Sequence, residues 1–207
     1  MSDSWLNMWN ERYAEPDYAY GIEPNVFFKE QLDKLAPAKL LMGAEGEGRN
    51  AVYAANQGWE VTAFDISVEA RKKALKLAAD KGVSLDYKVG FLPELDIPDN
   101  SFDALGLIFA HFPSDIRPEF HNILSRKLKT GGIVIVEAFN KDHLQYRQKN
   151  PKVGGPRDLQ TLMSKEELTE AFADFDILEL EETEAEFNEG LYHIGTGSVV
   201  RFVARRK

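Results

Sequence analysis

The spacing of apolar and polar positions predicts a chain that alternates strands and helices. Lys39–Gly43 is a short apolar run fit for a buried strand, and Ala51, Val52, Ala54 and Ala55 then recur at helical spacing from Arg49 to about Asn56. Gly58 stops that helix. Trp59–Phe64 reads as a second strand ending in Asp65, and Ser67 caps a helix through Lys81 with Ala70, Ala74 and Leu77 on one face and Gly82 as its stop. Leu85–Val89 is a third strand. Asp103–Phe109 follows as a continuous apolar run of the kind a doubly covered central strand shows. Ile116–Leu128 turns Phe120, Ile123, Leu124 and Leu128 inward as a helix, Gly131 and Gly132 close it, and Ile133–Val136 is another buried strand.

Strict alternation of this kind predicts a parallel sheet with right-handed crossovers and helices on both faces. The ends of the chain break the rhythm. Before it, residues 1–25 carry Trp5, Trp9, Tyr13, Tyr18 and Tyr20, interrupted by Pro16, Gly21 and Pro24, which predicts a short helix and then a loop lying over other structure. Asn25 caps a helix from Val26 to about Leu35, stopped by Pro37. After the parallel part, 141–162 is polar, contains Gly154-Gly155-Pro156, and is longer than a mere connection needs. Ser164-Lys165-Glu166-Glu167 is a capping box opening a helix through Phe172. Asp176–Thr183 and Ser198–Ala204, with no helix between them, are expected to pair as an antiparallel hairpin with a long loop. The expectation is an α/β fold with a mostly parallel seven-stranded sheet. One domain spans 1–207, with 1–25 as an aromatic lid and 141–162 as a loop on the substrate side.

Composition narrows the classes. The chain has 207 residues with 43% hydrophobic positions, enough for a real core without staples, and no cysteine, so disulfides and thiolate metal sites are absent and a reducing cytoplasm fits. No apolar run approaches a membrane span and no secretory leader is visible, so a soluble cytoplasmic protein with no membrane partner is expected. A formal charge of −9 argues against a broad nucleic-acid footprint. Four dispersed histidines without a close-spaced pair make no metal site.

Chemistry concentrates in Met42-Gly43-Ala44-Glu45-Gly46-Glu47-Gly48-Arg49-Asn50-Ala51. Gly46 to Ala51 matches G-x-G-x-x-A between a strand and a helix, and Asp65 lies at the end of the next strand, where a carboxylate can accept hydrogen bonds from ribose hydroxyls. The match alone fits a nucleotide of any kind, including that of an NAD(P)-dependent oxidoreductase. Charge separates the candidates. A pyrophosphate at this helix N-terminus would be crowded by Glu45 and Glu47, whereas S-adenosylmethionine has no phosphate and carries an ammonium and a sulfonium.

Over nearly its whole length the chain resembles class I S-adenosylmethionine-dependent methyltransferases, a Rossmann-like family, and is similar to the tellurite-resistance group and more distantly to the thiopurine methyltransferases. The resemblance runs through Trp9-Asn10-Glu11-Arg12-Tyr13, Tyr20-Gly21-Ile22-Glu23-Pro24-Asn25, the glycine turn and Phe64-Asp65. It continues through Ser101-Phe102-Asp103-Ala104, His111-Phe112-Pro113, Leu128-Lys129-Thr130-Gly131-Gly132 and His193-Ile194-Gly195. Three places depart from the family pattern, one being Gly90-Phe91-Leu92 after the third strand, which offers apolar packing and backbone where an acid often meets the adenine amino group. Met42 stands where an acid usually ends the first strand, and Ala44 where a glycine usually stands, leaving Glu45 or Glu47 to meet the cofactor ammonium.

The resemblance implies S-adenosyl-L-methionine as cofactor and a small-molecule acceptor, with a thiol or a selenium or tellurium oxyanion as candidates. It implies that Gly43, Ala44, Gly46 and Gly48 approach the methionine part, Asp65 the ribose, and Ile66 and Leu92 the adenine. Phe109 is placed near the sulfonium, and Arg12 and Tyr20 over the cofactor carboxylate. His111 is the candidate catalytic group on the substrate side, since it follows the fourth strand at the ligand edge. His121 is expected to be exposed on its helix, His143 and His193 to lie in or beside lids, and Arg117 and Arg157 to be solvated or to attract an anionic substrate. A protein that binds the cofactor without catalysis stays open, as does oligomeric state.

Overall fold

A computed structural model describes residues 3–207. The chain forms one seven-stranded sheet in the order β3-β2-β1-β4-β5-β7-β6. Its strands are β1 (Lys39–Gly43), β2 (Glu60–Asp65), β3 (Asp86–Val89), β4 (Phe102–Ile108), β5 (Leu128–Phe139), β6 (Phe175–Glu189) and β7 (His193–Arg206). The first five are parallel, and β7 runs antiparallel to both β5 and β6. Helices α1 (Asp3–Ala14), α2 (Val26–Leu32), α3 (Arg49–Asn56), α4 (Val68–Asp80), α5 (Arg117–Lys127), α6 (His143–Lys149) and α7 (Lys165–Ala171) complete it. None of the described helices is long and apolar enough to cross a membrane.

β1 is the axis of the fold because both of its faces are apolar. Leu41 packs with Leu105, Leu107 and Val134 under Phe120, Leu124 and Phe172, while Leu40 and Met42 pack with Ile135 under Phe27, Phe28 and Ala54. A strand buried on both faces must be apolar at successive positions, as the sequence pattern required. Met42 also fixes a neighbour, since a Cβ on Gly106 would lie 2.5 Å from its sulfur. The three predicted caps are present. The Asn25 side chain accepts from Phe28 N, Ser67 from Ala70 N, and Ser164 forms the full capping box with Glu167.

Two expectations are corrected. The 141–162 segment is not all loop: it contains α6 and a 3-10 turn at Pro151–Val153. The C-terminal hairpin has no long loop either, because Glu189 already pairs with His193. The reason lies in the acidic run, where Ala185 and the buried Phe187 alternate with Glu184, Glu186 and Asn188, a two-residue period that continues the strand to the turn at 190–192. The lengthened hairpin carries its tip to the N-terminal segment, where Leu191 N donates to Ala19 O at 2.8 Å.

Candidate active site

The carboxyl ends of β1, β2 and β4 open into a cavity of about 660 Å³, the edge at which open α/β sheets hold ligands. Its floor is the turn after β1. Ala44 adopts φ 50°, Gly46 φ 59° and Gly48 φ 86°. Ala44 thus occupies a left-handed position in which glycine costs less.

Ala44, Glu45, Gly46, Asp65, Ile66 and Leu92 all line this cavity, as do Phe109, Arg12 and Tyr20. Gly43 and Gly48 do not. A Cβ on Gly43 would lie 2.8 Å from the Leu107 side chain, and one on Gly48 would lie 2.6 Å from Ala74 Cβ, so these two glycines serve packing between elements.

The two turn glutamates have different tasks. Glu45 Oε1 accepts from Asn50 N at 2.9 Å and Ala51 N at 2.7 Å, filling the N-terminus of α3 with an internal anion. A pyrophosphate would have to displace it. Burial raises the Glu45 carboxyl to about 7, although the Ala51 N–H, Arg49 and Asn50 pull it down. Glu47 accepts from Ala19 N at 2.7 Å and pairs with Lys73 at 2.8 Å, tying the N-terminal segment to α4. That segment is held again where Ser67 Oγ donates to Asn10 Oδ1 at 2.6 Å. Asp65 accepts from Gly46 N at 3.0 Å and Ser67 N at 2.9 Å, and burial raises it to about 6 against those amides.

On the opposite wall, Phe109 directly follows β4 at φ 53°, an uncommon conformation for a bulky residue. Its ring lies 4.6 Å from that of Phe139 and 4.7 Å from that of His193. His111 lines the cavity, but both ring nitrogens are engaged: Nδ1 sits 3.2 Å from Thr161 O, and Nε2 accepts from Phe139 N at 3.2 Å. Burial pushes it down to about 3, so it is neutral and braces the 141–162 segment. His143 does similar work, with Nδ1 accepting from Ser198 N and Nε2 facing Gly154 O. His121 is 4% exposed rather than on the surface, because its face of α5 packs against Phe112 and Phe172. Arg117 is buried too, and donates to Gln160 O, Thr161 O and Leu162 O. Among the described residues no group of acids and histidines is arranged to hold a metal ion.

A pair that sequence reading passed over stands beside Phe109. His193 Nδ1 lies 2.9 Å from Glu189 Oε2, and Arg49 Nη2 donates to the same oxygen at 2.9 Å. Burial acts to raise Glu189, but the His193 hydrogen bond and Arg49 outweigh it and hold the carboxyl at about 2. Burial lowers His193 despite that carboxylate. An ionised Glu189 beside a neutral His193 fixes the proton on Nδ1 and leaves the Nε2 lone pair as a base. His193 lines the cavity, and no protein hydrogen bond engages Nε2 among the described residues. In the sequence His193 stands out through the His193-Ile194-Gly195 resemblance, but its spacing from Glu189 gains meaning only once the hairpin turn is known.

Residues 41–132 match the family model of a methyltransferase domain. The matched residues run from β1 into β5 and include the glycine turn and Asp65. Among solved structures, the domain is similar to a protein described for the conversion of a disulfide bond into a thioacetal group during echinomycin biosynthesis, at 18% identity and a TM-score of 0.78, covering 100% of this chain and 92% of that one. TehB from Haemophilus influenzae matches at 17% identity and a TM-score of 0.69, covering 98% and 67%. An S-adenosylmethionine-dependent methyltransferase from Anabaena variabilis matches at 19% identity and a TM-score of 0.69, covering 99% and 94%. These likenesses show the fold. A comparison of the sequence with curated proteins found no match.

The cofactor this domain implies is S-adenosylmethionine, and the residues present fit it. The turn offers no vacant helix N-terminus for a phosphate, a buried carboxylate with a raised pKa faces the cavity where a cation is wanted, and Asp65 ends β2 beside it.

Proposed function

We propose that the chain is an enzyme that transfers the methyl group of S-adenosylmethionine to a small-molecule acceptor bound in the cavity between Phe109, the 141–162 segment and the C-terminal hairpin. The observation that carries this reading is the Glu189–His193 pair on the cavity wall. When bound, the cofactor supplies a methyl group activated on a sulfonium.

The chain's own residues would do the rest. Asp65 accepts from the ribose hydroxyls, Ile66 and Leu92 flank the adenine, Glu45 meets the ammonium, and Arg12 with Tyr20 faces the carboxylate; Arg12 Nη1 already donates to Tyr20 Oη at 2.8 Å. The aromatic wall of Phe109 and Phe139, backed by Phe187, excludes water and orients the acceptor. His193 Nε2 takes the acceptor's proton, while Glu189 is a positioning residue that holds the tautomer. A base of this kind favours a protic acceptor such as a thiol over a selenium or tellurium oxyanion, which is already charged.

Formation of S-adenosylhomocysteine from S-adenosylmethionine with 2-phenylethanethiol, an alkyl thiol that is protonated at pH 7, and with selenite tests the reading. His193→Gln is expected to lower kcat for 2-phenylethanethiol about 10²-fold or more at pH 7 and to leave S-adenosylhomocysteine affinity within twofold. Equal loss for selenite would refute the base role. No turnover with either acceptor, despite cofactor binding, would favour a non-catalytic cofactor-binding protein.

A further inference from the structure

Three arginines reach the cavity from separate elements: Arg12 from α1, Arg147 from α6, and Arg157 from the segment after it. The chain carries 34 acidic residues against 25 basic ones. Its two buried arginines have used that surplus, Arg49 with Glu189 and Arg117 with Glu167, as has the partly exposed Arg201 with Glu137. Arg12 donates to Tyr20 Oη and Arg147 to Gly155 O, yet neither of these nor Arg157 pairs with a carboxylate among the described residues. Asp158 also lines the cavity, but its Oδ1 accepts from Gln160 N at 3.0 Å. Burial, then the charges of Arg157 and Arg12, push the Arg147 guanidinium below its usual value. Three like charges facing one cavity repel one another unless an anion joins them.

The segment that presents Arg157 is anchored, which makes its placement specific. Gly154 and Gly155 adopt φ 78° and 79°. A Cβ on Gly154 would lie 2.2 Å from Tyr192 O, and one on Gly155 2.7 Å from Phe139. Arg117 holds the far end of the segment through three carbonyls.

We infer that the acceptor carries a carboxylate, held by Arg147 and Arg157, on an apolar body that reaches past Phe139 to His193; this rests on the methyltransferase reading. Arginine's planar fork suits a carboxylate. The base lies buried while Arg157 is exposed, so the anionic anchor and the reacting group are separate parts of one molecule. The cofactor has a carboxylate of its own, and the test must tell the two apart.

Benzoate and phenylacetate, each against its neutral amide, would be titrated calorimetrically into protein saturated with S-adenosylhomocysteine. The carboxylates are expected to bind at least tenfold more tightly than the amides. In Arg157→Ala and Arg147→Gln the gap should close, with S-adenosylhomocysteine affinity within twofold of the parent. Equal binding of acid and amide, no binding of either, or a gap that persists in both variants would overturn the inference and leave the methyltransferase reading standing. Weakened S-adenosylhomocysteine binding in the variants would overturn it by giving these arginines to the cofactor. A parent protein that does not bind S-adenosylhomocysteine at all would overturn the underlying reading.

Discussion

Replacing Glu45 by Gln separates the stability of the turn from its function. Glu45 is 8% exposed, and burial lifts its carboxyl from an ordinary 4.5 to about 7. Because the folded value lies above the unfolded one, the folded state holds this proton more tightly. The group therefore costs nothing below about pH 4.5, costs progressively more as the pH rises, and reaches its full cost above about pH 7. That gap corresponds to ~3 kcal/mol at about 1.4 kcal/mol per pH unit. Glutamine keeps a side-chain oxygen for the Asn50 and Ala51 amides and carries no charge. The variant is expected to match the parent in urea unfolding near pH 4.5 and to exceed it by up to ~3 kcal/mol at pH 8. For a chain of this size that is a rise in Tm of roughly 6–12 °C. It is also expected to bind S-adenosylhomocysteine at least tenfold more weakly, having lost the partner of the ammonium. A variant less stable than the parent at pH 8 would refute the reasoning, since it would mean the ionised carboxylate stabilises the turn.

Asp65→Ala is expected to weaken S-adenosylhomocysteine binding at least tenfold with unchanged far-ultraviolet circular dichroism; unchanged affinity would remove Asp65 from the ribose. Gly190 sits at φ 61° with a virtual Cβ 2.3 Å from Gly21 N, so Gly190→Ala meets backbone as well as left-handed strain. It should cost roughly 1–3 kcal/mol or more, and amide exchange at residues 19–21 should rise. Glu137 is 1% exposed and accepts from Arg201 Nε at 2.7 Å and Asn25 Nδ2 at 2.8 Å. Arg201→Ala strands that carboxylate and should cost about 3–5 kcal/mol in denaturant titration, whereas a loss below 1 kcal/mol would show that the pair matters little.

Much of the fold was legible because one local rule governs it. Continuous apolar runs at Leu40–Met42 and Leu105–Leu107 can only be doubly covered strands, and Asn25, Ser67 and Ser164 start helices by accepting from free N–H groups nearby. Glu45 was legible as a charge at the turn, but not as the acceptor that fills the N-terminus of α3, because that depends on a rotamer. His193 was hidden for a different reason. Its partner Glu189 and its ring neighbours Phe109 and Tyr20 come from three other parts of the chain, and only the β6–β7 register assembles them. His121 and Arg117 look solvated in sequence since nothing local shows that α7 and the 160–162 carbonyls cover that helix.

The central claim is that the turn after β1 holds a cofactor without a pyrophosphate. Calorimetric titration of the protein with S-adenosylhomocysteine and, separately, with NADH tests it most directly. Saturable binding of S-adenosylhomocysteine and none of NADH is the predicted result. Saturable binding of NADH, with no heat from S-adenosylhomocysteine or S-adenosylmethionine, would contradict it.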